Sequence, residues 1–165
     1  MIEQIILVDK KDNQVGVGEK LDVHIKGSLH RAFSVFIFNS KGEMMLQKRA
    51  VTKYHGGGLW TNTCCGHPRP GEDVVSAAMR RLKEEMGFSC YLQKMFDYVY
   101  KVKLDKGMTE HEFLHVYRGT FDGKPVLNSA EADGWKWVDV KELKNDIKTN
   151  PEIYTPWFKL SMEKL

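Results

Sequence analysis

The chain has 165 residues, enough for one well-packed core and too few for two complete ones. Hydrophobic residues make up 42% and charged residues 28%, with four Trp and no low-complexity tract, which excludes a disordered chain. A net charge of +3, with Lys and Arg mixed evenly among Asp and Glu, argues against nucleic-acid binding and leaves room for a local anion site.

The opening stretch MIEQIILVDKKDN carries the acidic Glu3 and only a short apolar run, so it is expected to be a first strand and neither a secretory signal nor a membrane span. Ile5 to Val8, the turn residues Asp9 to Gln14, and Val15 to Lys20 predict a hairpin. Phe33 to Phe38, the turn Asn39-Ser40-Lys41-Gly42, and Glu43 to Arg49 predict a second one. The loop His55-Gly56-Gly57-Gly58 lets backbone approach a ligand, and it leads into Trp60-Thr61-Asn62-Thr63-Cys64-Cys65-Gly66-His67-Pro68. After Pro70-Gly71, Val75, Ala78, Leu82 and Met86 follow helical spacing across Glu72 to Met86, and Gly87 is a natural stop. Met95 to Leu104 and Glu112 to Phe121 read as strands joined by a turn starting at Asp105-Lys106-Gly107, and Trp135 to Val140 as another. Lys141 to Ile147 suggests a short helix, and Tyr154 to Leu165 a closing one with Pro156 near its first turn. Strands around one central helix, with no repeat or linker, predict a single α+β domain over 1–165, layered α/β/α.

Three cysteines without a signal peptide point to free thiols in a reducing, cytoplasmic setting. Cys64 and Cys65 are too close for an ordinary disulfide and lack C-x-x-C spacing, which disfavours a redox pair. A structural zinc site of Cys64, Cys65, His67 and His30 is disfavoured too, because such sites use separated cysteine pairs. His24 and His30 flank a short segment ahead of the strand at Phe33, and His67 sits two residues after Cys65 in a Gly-Pro loop. Glu110 and Glu112 alternate along an extended segment, so both carboxylates point to one face while His111 points away. Together His24, His30, His67, Glu110 and Glu112 form a nitrogen and oxygen set suited to one divalent ion.

From Gly66 the spacing runs through Glu72 and Arg80 to Arg81-Leu82-Lys83-Glu84-Glu85-Met86-Gly87-Phe88, which resembles the Nudix box, the loop-helix-loop that holds divalent metal against a diphosphate in that superfamily. One position departs. Hydrolases of the superfamily carry Glu after the motif's Arg, and this chain carries Arg81, one turn from Glu85 on the same helix face. That substitution removes a metal ligand and supplies a cation suited to diphosphate oxygens, or to a surface pair with Glu85.

With the His24 and His30 segment, the Trp60 to Pro68 stretch, Glu110-His111-Glu112 and Thr155-Pro156-Trp157, nearly the whole chain resembles the type I isopentenyl-diphosphate isomerases. The resemblance implies a mixed sheet with a central loop-helix-loop, and conversion of isopentenyl diphosphate to dimethylallyl diphosphate in isoprenoid biosynthesis. It implies Cys65 and Glu112 as the catalytic pair with Tyr100 beside them, and a divalent ion (Mn²⁺, Mg²⁺ or Zn²⁺) on His24, His30, His67, Glu110 and Glu112. It further implies Glu85 on a diphosphate-bound Mg²⁺, Lys20, Arg49, Lys53 and Arg81 on the diphosphate, and Trp157 against the hydrocarbon. The implied partner is a small diphosphate substrate, with no nucleic acid or membrane, and the assembly a monomer or weak dimer. The alternative is a Nudix hydrolase of a nucleoside diphosphate derivative.

The implied chemistry protonates an unactivated alkene and removes a proton from the neighbouring methylene, through a tertiary carbocation, so it needs an acid and a base held in register and water kept out. Glu112 with Tyr100 is expected on the protonating side and Cys65 on the accepting side, with Trp60 and Trp157 as pocket walls. Cys64 is expected to be a small packed neighbour, and Cys90 ordinary core.

Overall fold

In a computed structural model the chain is described over residues 2–165, so the first residue of the expected 1–165 span lies outside the description. Gln4–Val8 (β1) and Gln14–Glu19 (β2) form the opening antiparallel hairpin. A short helix, Lys20–Lys26 (α1), follows where the sequence suggested only a connecting segment. Two local devices make it: the Glu19 carboxylate accepts from the Leu21 and Asp22 amides at one end, and Gly27 closes the other at φ 70°. With only seven residues, it is too short for hydrophobic periodicity to reveal.

His30–Phe38 (β3) begins earlier than the aromatic run at Phe33 suggests, and the sheet is built around it. It runs parallel to Thr109–Thr120 (β8) from the pair His30↔Glu112 to the pair Phe38↔Thr120. On its other side it pairs antiparallel with Cys64–Gly66 (β6). The expected second hairpin is therefore corrected: β3 meets Met44–Arg49 (β4) only at Phe38↔Met44, because β6 and β8 occupy its two edges. β4 pairs instead with Trp60–Thr61 (β5) and Ala132–Val138 (β9), and Gln93–Lys103 (β7) pairs with β8. The result is one mixed nine-stranded sheet.

The expected boundaries shift at the helices for stated reasons. Val74–Met86 (α2) starts two residues late because Asp73 caps it, accepting from the Ser76 amide at 3.2 Å. The strand at Trp135 stops at Val138 because Asp139 caps Val140–Thr149 (α3), so Val140 is helical. The closing helix is Pro156–Met162 (α4), with Pro156 at its first position and a 3₁₀ turn, Pro151–Ile153, before it.

The layered reading holds, but α2 is not surrounded by strands. On β3, Phe33, Val35 and Ile37 pack with Ala77, Ala78, Leu82 and Met86 of α2. Ala32 and Phe36 point the other way, into a core with Leu143 of α3 and Trp157, Phe158 and Met162 of α4. The sheet is thus sandwiched between helices.

Candidate active site

Strand register assembles the site. Glu112 on β8 lies opposite His30 on β3 and opposite Tyr100 on β7, while Cys65 on β6 lies opposite Ser34 on β3. Cys64 and Cys65 are neighbours on a strand and so face opposite sides of the sheet. Cys64 is fully buried in the core under α2, with Sγ 3.0 Å from Glu85 Oε2. It is more than a packed neighbour, because it holds a carboxylate. Cys65 Sγ faces the other side, 3.1 Å from Asn62 Oδ1 and 3.6 Å from Ser34 Oγ. Cys90 lies half-buried beside the α2-side core.

The three expected imidazoles and two carboxylates come together. Ligand atoms of His24, His30, His67 and Glu110 all lie within 4.8 Å of one another, and all four residues are buried. Glu110 Oε1 is 2.8 Å from His24 Nε2 and 3.1 Å from His30 Nε2. Glu112 Oε2 is 3.2 Å from His67 Nε2 and 3.4 Å from His30 Nε2, and its Oε1 accepts from Tyr100 Oη at 2.5 Å. His111 points away, its Nδ1 3.0 Å from the Gly27 carbonyl, which ties β8 to the end of α1.

Whether this group suits a cation is answered by its hydrogen bonds. His24 Nδ1 lies 2.7 Å from the Lys20 carbonyl and His30 Nδ1 2.9 Å from the Ser28 carbonyl. Each ring therefore faces an acceptor at both nitrogens, whereas a neutral imidazole has a single N–H to give. A divalent cation held by these residues would resolve that conflict, since each Nδ1–H could then go to its backbone carbonyl. Burial disfavours charge on His30, yet the hydrogen bonds and charges of Glu110 and Glu112 raise its pKa to about 10. Burial, with the charge of His30 acting in the same direction, lowers His67 to about 3. Burial would raise the Glu112 carboxyl, but His30 and His67 hold it well below the usual carboxylate range. Burial pushes the Cys65 thiol up to about 11 against the Ser34 and Asn62 hydrogen bonds, and the charge of Arg49 acts to lower it. These shifts favour a charged Glu112 carboxylate and a neutral Cys65 thiol.

A cavity of about 110 Å³ lies over these groups, lined by Cys65, Glu112, Trp157 and all four expected cations, Lys20, Arg49, Lys53 and Arg81. Tyr100 reaches it only through Glu112. Ligand sites of drug size run to roughly 300–1,000 Å³, so this one suits a small organic group. Arg81 is ion-paired to Glu84 at 2.7 Å, Glu85 at 3.3 Å and Glu131 at 3.2 Å. Glu85 is buried in the cavity wall, outside the four-residue ligand group, with Gln47 Nε2 3.3 Å from its Oε1. Trp157 holds the Arg49 guanidinium 5.1 Å from its ring centre, and Gly56, at φ 62°, passes close to both.

Residues 28–158 match the family model of the NUDIX domain. "Isopentenyl-diphosphate Delta-isomerase 2" of Aromatoleum aromaticum is 53% identical over 100% of this chain and 87% of its own length, and "Isopentenyl-diphosphate Delta-isomerase" of Serratia proteamaculans 51% identical over 100% and 92%. The chain belongs to the isopentenyl-diphosphate Delta-isomerase family of NUDIX proteins. Among solved structures, DR0079 from Deinococcus radiodurans superposes with a TM-score of 0.83 over 98% of each chain at 18% identity. The MutT protein from Methanosarcina mazei Go1 does so with a TM-score of 0.67 over 82% of this chain and 91% of its own, at 19% identity. At such identities both bear on the fold alone, a mixed sheet between helices.

Sequence reasoning missed several residues that line this family member's cavity. Glu131 pairs with Lys53 at 2.5 Å as well as with Arg81, and Glu3 pairs with Lys20 at 3.2 Å. Both are isolated acids in loops or at a strand edge, with no spacing signal. His55 was noted only as part of a glycine loop, yet it is buried against the metal-suited group. Trp60 is corrected: it does not line the cavity but packs beside the core of α3 and α4, with Lys136 Nζ 4.4 Å from its ring centre.

Proposed function

We propose that this chain isomerises isopentenyl diphosphate to dimethylallyl diphosphate in isoprenoid biosynthesis. The observation that carries the reading is that Cys65 on β6 and Glu112 on β8, the two strands flanking β3, reach one small cation-lined cavity, with Tyr100 hydrogen-bonded to Glu112. Moving a double bond by protonation and deprotonation needs two proton-transfer groups about one carbon skeleton, and these are the two. One gives a proton to the alkene terminus and the other takes one from the adjacent methylene. With Cys65 as acceptor, its thiol has to ionise in the substrate complex, and Arg49 is the cation that favours this.

His24, His30, His67, Glu110 and Glu112 would hold a divalent ion, Mn²⁺, Mg²⁺ or Zn²⁺, and Glu85 an Mg²⁺ carried by the diphosphate. Bound there, such ions supply fixed positive charge that tunes the neighbouring carboxylates and neutralises the phosphate oxygens. Lys20, Arg49, Lys53 and Arg81 bind the diphosphate, which takes the place of Glu3 beside Lys20 and of Glu131 beside Lys53 and Arg81. Trp157 closes the cavity over the hydrocarbon and offers a π face to the carbocation, a contact worth roughly 2 kcal/mol or more when desolvated.

Isopentenyl diphosphate incubated with the protein and Mg²⁺ plus Mn²⁺ in D₂O, followed by NMR, tests the reading. The expected product is dimethylallyl diphosphate with deuterium in a methyl group and the diphosphate intact. Release of phosphate without carbon-bound deuterium would sink the proposal in favour of the hydrolase.

A further inference from the structure

His55 is the one imidazole at the site that no expected role absorbs. It is 2% exposed, and both ring nitrogens are buried without a hydrogen-bond partner. Buried polar atoms without a partner are rare in folded proteins, so this pair calls for a use in the working protein. His55 Nε2 lies 3.5 Å from Glu110 Oε2, close to that oxygen but without a formed hydrogen bond. The other oxygen of that carboxylate, Oε1, already faces His24 and His30. The two sides of Glu110 are thus divided, one toward the metal-suited group and one toward His55. The ring is held in place by neighbours on three sides: Tyr54 edge-on at 4.1 Å, Trp157 edge-on at 5.3 Å and His24 at 5.8 Å between ring centres. Its own carbonyl accepts from Arg49 Nη2 at 2.9 Å and Nε at 3.3 Å.

We infer that His55 is a positioning residue for the metal site: its Nε2–H takes Glu110 Oε2, leaves Oε1 to the divalent ion, and couples that ligand to the Arg49 and Trp157 wall of the substrate cavity. It is placed behind Glu110 and not among the ligands, since its Nε2 lies on the Oε2 side of that carboxylate, away from the Oε1 that faces His24 and His30. Ligating carboxylates are commonly fixed by such a donor on their second oxygen, and losing it typically lowers metal affinity about 10–100-fold. The inference rests on the metal reading of the cluster and not on the identity of the substrate.

The test is calorimetric titration of Mn²⁺ into chelator-treated, full-length protein, with no substrate present, alongside a thermal melt. His55→Leu, which keeps bulk and loses the donor, is expected to weaken Mn²⁺ about 10–100-fold, and His55→Gln, which restores an N–H, to recover most of that. Should His55→Leu fail to melt cooperatively, His55→Ala serves the same comparison. In a Glu110→Gln background His55→Leu is expected to add no further loss, because its effect runs through that carboxylate. A full additional loss there would make His55 a direct ligand and overturn the positioning role. Unchanged affinity in a folded His55→Leu protein would overturn the inference alone, and no Mn²⁺ binding to the unaltered chain would overturn the metal reading and the inference with it.

Discussion

Tyr100 and Glu112 stand directly opposite each other on β7 and β8, and the phenol donates to Glu112 Oε1 at 2.5 Å while Oε2 faces His67 and His30. Burial raises the Tyr100 phenol well above its ordinary range and the charge on Glu112 raises it further, so the shared proton rests on the tyrosine. The carboxylate is therefore divided between a proton donor and the histidines. Tyr100→Phe removes the donor and keeps the ring, and the expected result is a fall in kcat of about 10²-fold with little change in KM. Glu112→Gln should cut activity more deeply and stay inactive at saturating Mn²⁺. Steady-state kinetics at fixed and excess metal check both; recovery of the Gln variant by metal would confine Glu112 to ligation.

The adjacent cysteines face opposite layers, and their substitutions should separate accordingly. Cys65→Ala is expected to abolish isomerisation with the melting temperature nearly unchanged, since its thiol lines the cavity. Cys64→Ala is expected to keep most activity and lose about 1–2 kcal/mol of stability, through a small void in the α2-side core and a lost hydrogen bond to Glu85. Equal activity losses in two well-folded variants would contradict the facing assigned here.

Particular residues show what could be read from the chain before its structure. The shared facing of Glu110 and Glu112 was legible because period-two alternation states which way those side chains point, whereas Cys65 was singled out by the resemblance alone. Arg81 was legible because a helix places it one turn from Glu85, and the two are 3.3 Å apart. The α1 helix was not, since a cap by Glu19 and a closing Gly27 are weak signals around seven residues; yet that turn brings the Lys20 carbonyl to His24 Nδ1. The second hairpin was misread for a different reason. A good turn at Asn39 to Gly42 fixes the direction of the chain, but which strand lies beside β3 is decided by long-range pairing with β8 and β6. His55 and Glu131 lie beyond any local pattern, because their roles come from partners at positions 110, 53 and 81.

Far from the cavity, His115 on β8 gives a pH signature of folding. Its Nε2 is 2.9 Å from Asp12 Oδ2, and Asp12 also takes Arg31 Nε at 2.8 Å, pinning the first hairpin turn to the sheet. Burial, then the positive charge of Lys94, lowers its pKa, against the opposing pull of Asp12 and Asp97. The unfolded chain then binds the proton more readily, so stability from this group is fully present above pH about 6.5 and lost as pH falls from there toward its folded pKa. Denaturant melts between pH 7 and 4 should show His115→Gln with a shallower loss than the unaltered chain. A steeper loss in the variant would reverse the sign of the shift.

Arg81 tests the substrate assignment most directly, because the family's hydrolases carry Glu where this chain has Arg. It is shared among Glu84, Glu85 and Glu131, and it reaches the cavity beside Lys53. Arg81→Glu would remove a diphosphate contact and place a fourth carboxylate among those three, so two penalties act together on an anionic substrate. Losing a charge-assisted hydrogen bond costs about 1.5–3 kcal/mol, which predicts a rise in KM of roughly 10–100-fold, with added loss from repulsion. Arg81→Gln should show the first penalty without the second and fall between. Neither variant is expected to hydrolyse nucleoside diphosphate derivatives efficiently, because the cavity that would receive them stays lined by Cys65, Trp157 and the Glu110 side of the imidazole group. Isomerase kinetics and phosphate release, measured side by side on the three proteins, check this; efficient nucleotide hydrolysis by Arg81→Glu would mean the remaining pocket is a hydrolase pocket one residue removed.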